Sequence, residues 1–176
     1  MINKLLAGLI LIVLIFVGIA LTKPDEMKVS RSAVINAPVA KIFPHINDLH
    51  KWDAWSPWAK LDPTATPTFS GATQGNGAVM AWTSEKPEVG TGKMTITESV
   101  TNQRIVFLLE FEKPMQGTNT AIFTFKPEGK GTNVTWSMSG KMGLIQKMMS
   151  IVMDCEKMVG GMFEEGLKNL KEVVEK

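Results

Sequence analysis

Few side chains in this sequence stand where they could do chemistry. Glu98 follows Met94 and Ile96 at strand spacing, so its carboxylate would share their apolar face. A carboxyl buried there without a partner would have a raised pKa and could serve as a general acid or base. Buried carboxylates are rare unless paired, so the competing reading puts Glu98 near a strand end within reach of solvent. Arg31 and Arg104 are its candidate partners. Glu98 is a weak candidate for catalysis, and the sequence offers no better one.

The remaining reactive types point away from catalysis and metals. His45 and His50 lie around Pro44 and a turn with no third ligand in view, which favours local hydrogen bonding. Cys155 is the single cysteine, so no intramolecular disulfide exists, and its place on an apolar stripe reads as a buried, inert thiol. Gly71-x3-Gly75-x-Gly77 is followed by a strand and lacks the Lys-Ser/Thr of a phosphate loop, so it reads as a hairpin turn. No metal site and no cofactor are expected. Trp52, Trp55 and Trp58 recur every three residues. They would either cover the mouth of a cavity or plug the end of a barrel as core, because rings of this size bury ~150–250 Å² each.

Composition narrows the classes. Nineteen Lys+Arg against 17 Asp+Glu give a net charge of +2, which provides no electrostatic case for nucleic acid. Twelve methionines and no tyrosine mark a sequence rich in flexible, polarizable gap-fillers. Leu5 to Thr22 carries no charge, and those 18 residues as a helix would span roughly 27 Å, near the ~30 Å of a hydrocarbon core. Lys4 and the α-amine of Met1 lie on its N-terminal flank, and a short N-terminal tail favours an N-in orientation. The expected organisation is a membrane anchor over residues 1–24 and one soluble domain over residues 25–176. That domain would stand outside the cytoplasm, periplasmic or extracellular. The alternative is a cleaved signal peptide ending near Gly18-Ile19-Ala20, which exports the domain equally.

Periodicity sets the elements that would position these residues. Met27 to Asn36 alternates as a strand, and Pro38 then starts a short helix with Val39, Ile42 and Phe43 inward. Strands follow at Thr66–Ser70, Ala78–Ser84, Gly90–Val100, Gln103–Glu112, Thr118–Pro127 and Gly131–Gly140, and short links at Gln116-Gly117 and Glu128-Gly129-Lys130-Gly131 make antiparallel hairpins of the last three. From about Gly143 to Glu175 the period is helical, with Met148, Val152, Cys155, Val159, Phe163, Gly166, Leu170 and Val173 on one stripe. Gly160-Gly161 interrupts its interior, which calls for a kink or a close backbone contact to offset the cost. The order is strand, short helix, six strands, long helix. An antiparallel sheet with one apolar face needs a cover, and the terminal helix supplies it.

The stretch Asp48-x3-Trp52-x2-Trp55-Ser56-Pro57-Trp58-x2-Leu61-Asp62-Pro63 resembles the START-like, Bet v 1-like (SRPBCC) polyketide cyclase/dehydrase and lipid-transport proteins. Gly90 to Ser99, Leu109 to Pro114, Gly131 to Gly140 and Phe163 to Lys171 extend the likeness in the expected order, from about Met27 to Lys176. The resemblance implies an α+β helix-grip fold, a seven-stranded antiparallel sheet wrapped around a long C-terminal helix. It implies a cavity between them that takes lipids, sterols, polyketides or other apolar molecules. It carries no catalytic motif across to this chain.

On that expectation the sheet side of the cavity is lined by Met80, Trp82, Met94, Ile96, Phe107, Leu109, Phe123, Trp136 and Met138. Met148, Val152, Cys155, Val159 and Phe163 line the helix side, with Trp55 and Trp58 at the end. The expected function is a membrane-anchored, non-catalytic carrier or binding protein for a hydrophobic small molecule. A cyclase or dehydratase using Glu98 is one alternative. A structural envelope protein whose cavity is filled by its own side chains is another.

Overall fold

The computed structural model describes residues 2–176; Met1, whose α-amine belongs to the N-terminal flank discussed above, lies outside the described residues. An apolar helix α1 (Ile2–Leu21) precedes β1 (Glu26–Ile35), α2 (Val39–Asn47), a 3-10 helix (Leu49–Ala54) and α3 (Pro57–Leu61). Then come β2 (Thr68–Gly71), β3 (Ala78–Thr83), β4 (Thr91–Val100), β5 (Arg104–Lys113), β6 (Gly117–Glu128) and β7 (Gly131–Lys141). The chain closes with α4 (Leu144–Val152) and α5 (Cys155–Val174). The seven strands form one sheet in the order β1-β7-β6-β5-β4-β3-β2, antiparallel at every junction. This is the expected helix-grip arrangement, with each strand found within a few residues of its predicted span.

Alternation decides which face is buried. Val29, Met138, Ala121, Phe107 and Ile96 stand opposite one another along one row, and Trp136, Phe123 and Ile105 occupy the next. All of these are buried, and they form one core with residues of α2, the 3-10 helix and α5. From α5, Phe163, Leu167 and Leu170 face this core. Two glycines allow the helix to come close. A Cβ on Gly166 would stand 2.8 Å from a Trp136 ring carbon, and one on Gly160 would collide with the Arg31 guanidinium. The Gly160-Gly161 interruption is therefore a close contact at Gly160, and α5 runs through it without a break.

The C-terminal helical region differs from the single helix that its period predicts. It is two helices. The Met153 N–H still bonds to the Met149 carbonyl, closing α4, and Asp154 then caps α5 by accepting from the Lys157 N–H at 3.0 Å. A side-chain acceptor for an orphan N–H is what starts a helix, and it overrides the continuity of the apolar stripe. The phase is lost across the break. Met148 and Val152 lie on α4, which packs against α1, and Val152 is 75% exposed.

Helix α1 is long and apolar enough to cross a membrane, with a mean hydropathy of 2.8 over Lys4–Leu21. Nearly all of that stretch is exposed. Among the described side chains the exceptions fall in its last turns, where Phe16 and Val17 are half-buried and Ala20 is buried. Helix α4 is packed against α1.

Candidate apolar ligand site

The space between the sheet and α5 is occupied by the chain's own rings. Trp136 stacks on Phe163 with centroids 4.0 Å apart and planes 7° from parallel, and on Phe123 at 4.7 Å. Trp52, Trp55 and Trp58 meet Trp136 edge-on at 6.1, 5.7 and 5.7 Å. Such edge and offset contacts are the favoured geometries of aromatic pairs. The tryptophan-rich segment is fixed by hydrogen bonds from the Trp52 and Trp55 indoles to the Ile46 and His45 carbonyls, at 2.9 and 3.0 Å. Asn169 on α5 donates to the Trp55 carbonyl at 3.1 Å, tying the helix to the same segment. Among the described residues, the Trp136 indole N–H is buried with no acceptor.

The predicted lining residues divide into three groups. Trp55, Met94, Ile96, Phe107, Phe123, Trp136, Met138 and Phe163 are buried in the core. Trp58, Met80, Trp82, Leu109 and Val159 are half-buried and pack against it. Met148, Val152 and Cys155 depart from the prediction. The first two stand on α4, which packs against α1, and Cys155 opens α5 half-exposed.

Half-buried apolar residues concentrate at one end of the concave face. Register puts Met27, Leu109, Met94 and Met80 in one row together with Gly140 and Asn119. The next row outward holds Phe111, Gly92 and Trp82, with the Phe111 and Trp82 rings edge-to-face at 6.0 Å. These two rows present no ionisable side chain. Their polar group is the Asn119 amide, which approaches the Met138 sulfur at 3.7 Å. Two surface hollows of about 280 and 330 Å³ lie elsewhere, beside Asp62 and on the outer face of β1, β6 and β7.

Glu98 does not face this surface. The β4–β5 register shifts between Ile96, opposite Phe107, and Glu98, opposite Val106. An extra residue in one strand turns everything beyond it to the other face. The bulge falls at Thr97 and sends Glu98 to the outside, where its carboxylate bonds to Arg104 at 2.5 Å with 40% of the side chain exposed. The proposed cavity acid/base is thus a surface ion pair. Arg31, its other candidate partner, bonds instead to Glu156 and Glu164 of α5 at 2.7 and 2.5 Å.

The histidines make local contacts. His50 bonds to Asp48 at 3.1 Å and stacks on Phe69 with centroids 4.0 Å apart. Burial, with Lys51 nearby, lowers the His45 imidazole pKa. Among the described residues there is no cluster of three His, Cys, Asp or Glu that could hold a metal.

One polar cluster was not singled out from the sequence. Asp62, almost fully buried, accepts from the Ser84 and Thr64 hydroxyls, both at 2.5 Å, and from the Thr64 N–H at 3.1 Å. Lys86 beside it donates to the Leu61 carbonyl at 2.6 Å. The cluster pins the end of α3 to the loop after β3. Hydrogen bonds from Ser84 and then Thr64 hold the Asp62 carboxyl down to about 2, against an ordinary 3.8. A group whose pKa falls on folding adds stability that is full above its unfolded value and fades as pH drops through the folded one. The Asp62 contribution should therefore be complete above roughly pH 4 and disappear towards pH 2. Urea midpoints at pH 5 and pH 2.5 test this. Asp62→Asn should shrink the fall in midpoint on acidification, and an equal fall in both proteins would show that Asp62 contributes nothing to it.

The chain matches the family described as polyketide cyclase / dehydrase and lipid transport over residues 26–175. It belongs to this family. The match covers the whole sheet and α5 and begins where α1 has ended. Protein CV1439 from Chromobacterium violaceum is similar in fold, with 17% identity and a TM-score of 0.59 over 88% of this chain and 99% of that one. Protein MLL2253 from Mesorhizobium loti is 13% identical with a TM-score of 0.63, over 85% and 97% of the two chains. Ara h 8.0201 is 14% identical with a TM-score of 0.56, over 85% and 97%. At such identities the likeness establishes the Bet v 1-like fold. No curated protein matches the sequence.

Proposed function

We propose that this family member is a membrane-anchored, non-catalytic binding or carrier protein for a hydrophobic small molecule, lipid-like or polyketide-like. The observation that carries the reading is the pair of half-exposed rows at the end of the concave face, Met27, Leu109 and Met80 with Phe111 and Trp82. They offer a continuous apolar surface, and covering ~200 Å² of it would gain about 5 kcal/mol before the costs of association. Methionine lets such a surface adapt to more than one shape. Helix α1 serves as the anchor, and the domain stands outside the cytoplasm.

The test is binding of a panel of fatty acids, phospholipids and sterols to the full-length protein in mild detergent, read by native mass spectrometry and tryptophan emission. Leu109→Glu places a charge in the row at a half-exposed position and should weaken binding at least tenfold. Glu98→Gln should leave it unchanged. Specific observations also favour a second reading, a structural protein with a filled interior, because the rings of Trp52, Trp55, Trp136 and Phe163 already occupy the grip. That reading would prevail if no panel member binds and the emission stays constant.

A further inference from the structure

We propose that α4 is a membrane-docking helix that holds the open apolar end of the sheet against the lipid surface. The inference rests on the reading of α1 as a membrane anchor and extends it to the soluble domain. At 100° per residue Leu144, Ile145, Met148 and Val152 fall within one arc of about 100°. On that arc Leu144, Ile145 and Val152 are 45, 68 and 75% exposed, and Met153, next in the chain, is 40% exposed. An apolar stripe this exposed has no cover among the described residues. Lys147, on the other side of α4, is buried and bonded to Asp25, which fixes how the helix is rotated.

Continuity with α1 says what covers the stripe. Twenty residues of helix are about 30 Å long, matching a hydrocarbon core and placing Leu21 at its edge. Helix α4 packs against α1, whose described buried and half-buried side chains, Phe16, Val17 and Ala20, lie in its last turns, so α4 lies at the depth of the interface, where amphipathic helices rest with their apolar face in the acyl boundary. The sheet begins at Glu26, five residues past Leu21 and so no more than ~19 Å away along the chain. Its first concave residue, Met27, belongs to the open apolar row. Gln146 of α4 also reaches the Gln116 carbonyl at the β5–β6 turn, which borders the same end. The open rows therefore face the bilayer, and an apolar ligand would pass between them and the membrane without crossing water.

The experiment uses full-length protein in phosphatidylcholine vesicles that contain lipids with nitroxides near the top and near the end of the acyl chain, so that both the interface and the bilayer centre are read. In a Cys155→Ser background, an environment-sensitive fluorophore is attached at Ile145→Cys, with Val152→Cys as a second site. Leu11→Cys reports on the anchor, and Lys130→Cys reports on the far end of the sheet. Labels at positions 145 and 152 should be quenched at least threefold more than the label at 130, approaching the label at 11. Quenching at 145 and 152 no greater than at 130, with 11 quenched, would overturn docking and leave the anchor standing. Loss of quenching at 11 would overturn both. Labels at 145 and 152 that are shielded from water yet unquenched would mean that a second copy covers the stripe, which also overturns the proposal.

Discussion

Trp136→Ala is expected to cost about 3–5 kcal/mol of stability, a large share of the ~5–15 kcal/mol that holds a domain of this kind together. The ring joins the two halves of the fold. It stands on β7, stacks on Phe163 of α5 and Phe123 of β6, and receives the edges of Trp52, Trp55 and Trp58. Alanine would leave a cavity bounded by large, stiff rings that cannot close it. The comparison with Trp136→Phe is instructive. Phenylalanine keeps most of the stacking and deletes a buried N–H without an acceptor, and such an unmet donor costs about 1–3 kcal/mol. Its net cost should be less than half that of alanine. Denaturant unfolding of the full-length protein in mild detergent, followed by far-UV circular dichroism, measures both. A loss below about 1 kcal/mol for Trp136→Ala would show that the aromatic cluster does not join α5 to the sheet.

Gly166→Leu should be nearly as damaging, at about 3 kcal/mol, the upper end of the usual cost of overpacking. A Cβ at this position would already stand 2.8 Å from a Trp136 ring carbon and 3.2 Å from the Pro57 Cδ. Neither neighbour is the loose end of a flexible side chain, so α5 itself would have to move. Gly161 supplies the control. Nothing comes within 4 Å of a Cβ there, so Gly161→Ala should stabilise α5 by up to about 1 kcal/mol through helix propensity. Equal effects at the two glycines would mean that α5 does not press on the sheet where these contacts place it.

The acid/base candidate shows how a local pattern misleads. Met94-Thr95-Ile96-Thr97-Glu98 alternates without fault, and nothing in its composition marks a bulge. The extra residue is visible only against β5, where Ile96 faces Phe107 but Glu98 faces Val106. A bulge is a property of two strands, and one strand's sequence does not contain it. The same holds for Asp62, whose partners are two and 22 residues away, and whose burial depends on Ser84 arriving from another hairpin.

What the sequence determined by itself was everything that rests on period and punctuation. Strand alternation, the Gly-rich links and the apolar stripe of α5 were enough for the seven strands, the antiparallel hairpins of the last three and the covering helix. The uncharged run of α1 was equally legible. The tertiary structure alone decided whether the grip is hollow or filled, which way Glu98 points, and that the last helical region is two helices with α4 against α1. The physical reason is common to all three. Periodicity records which side of an element is apolar, whereas filling, register and helix breaks depend on distances between elements far apart in the chain.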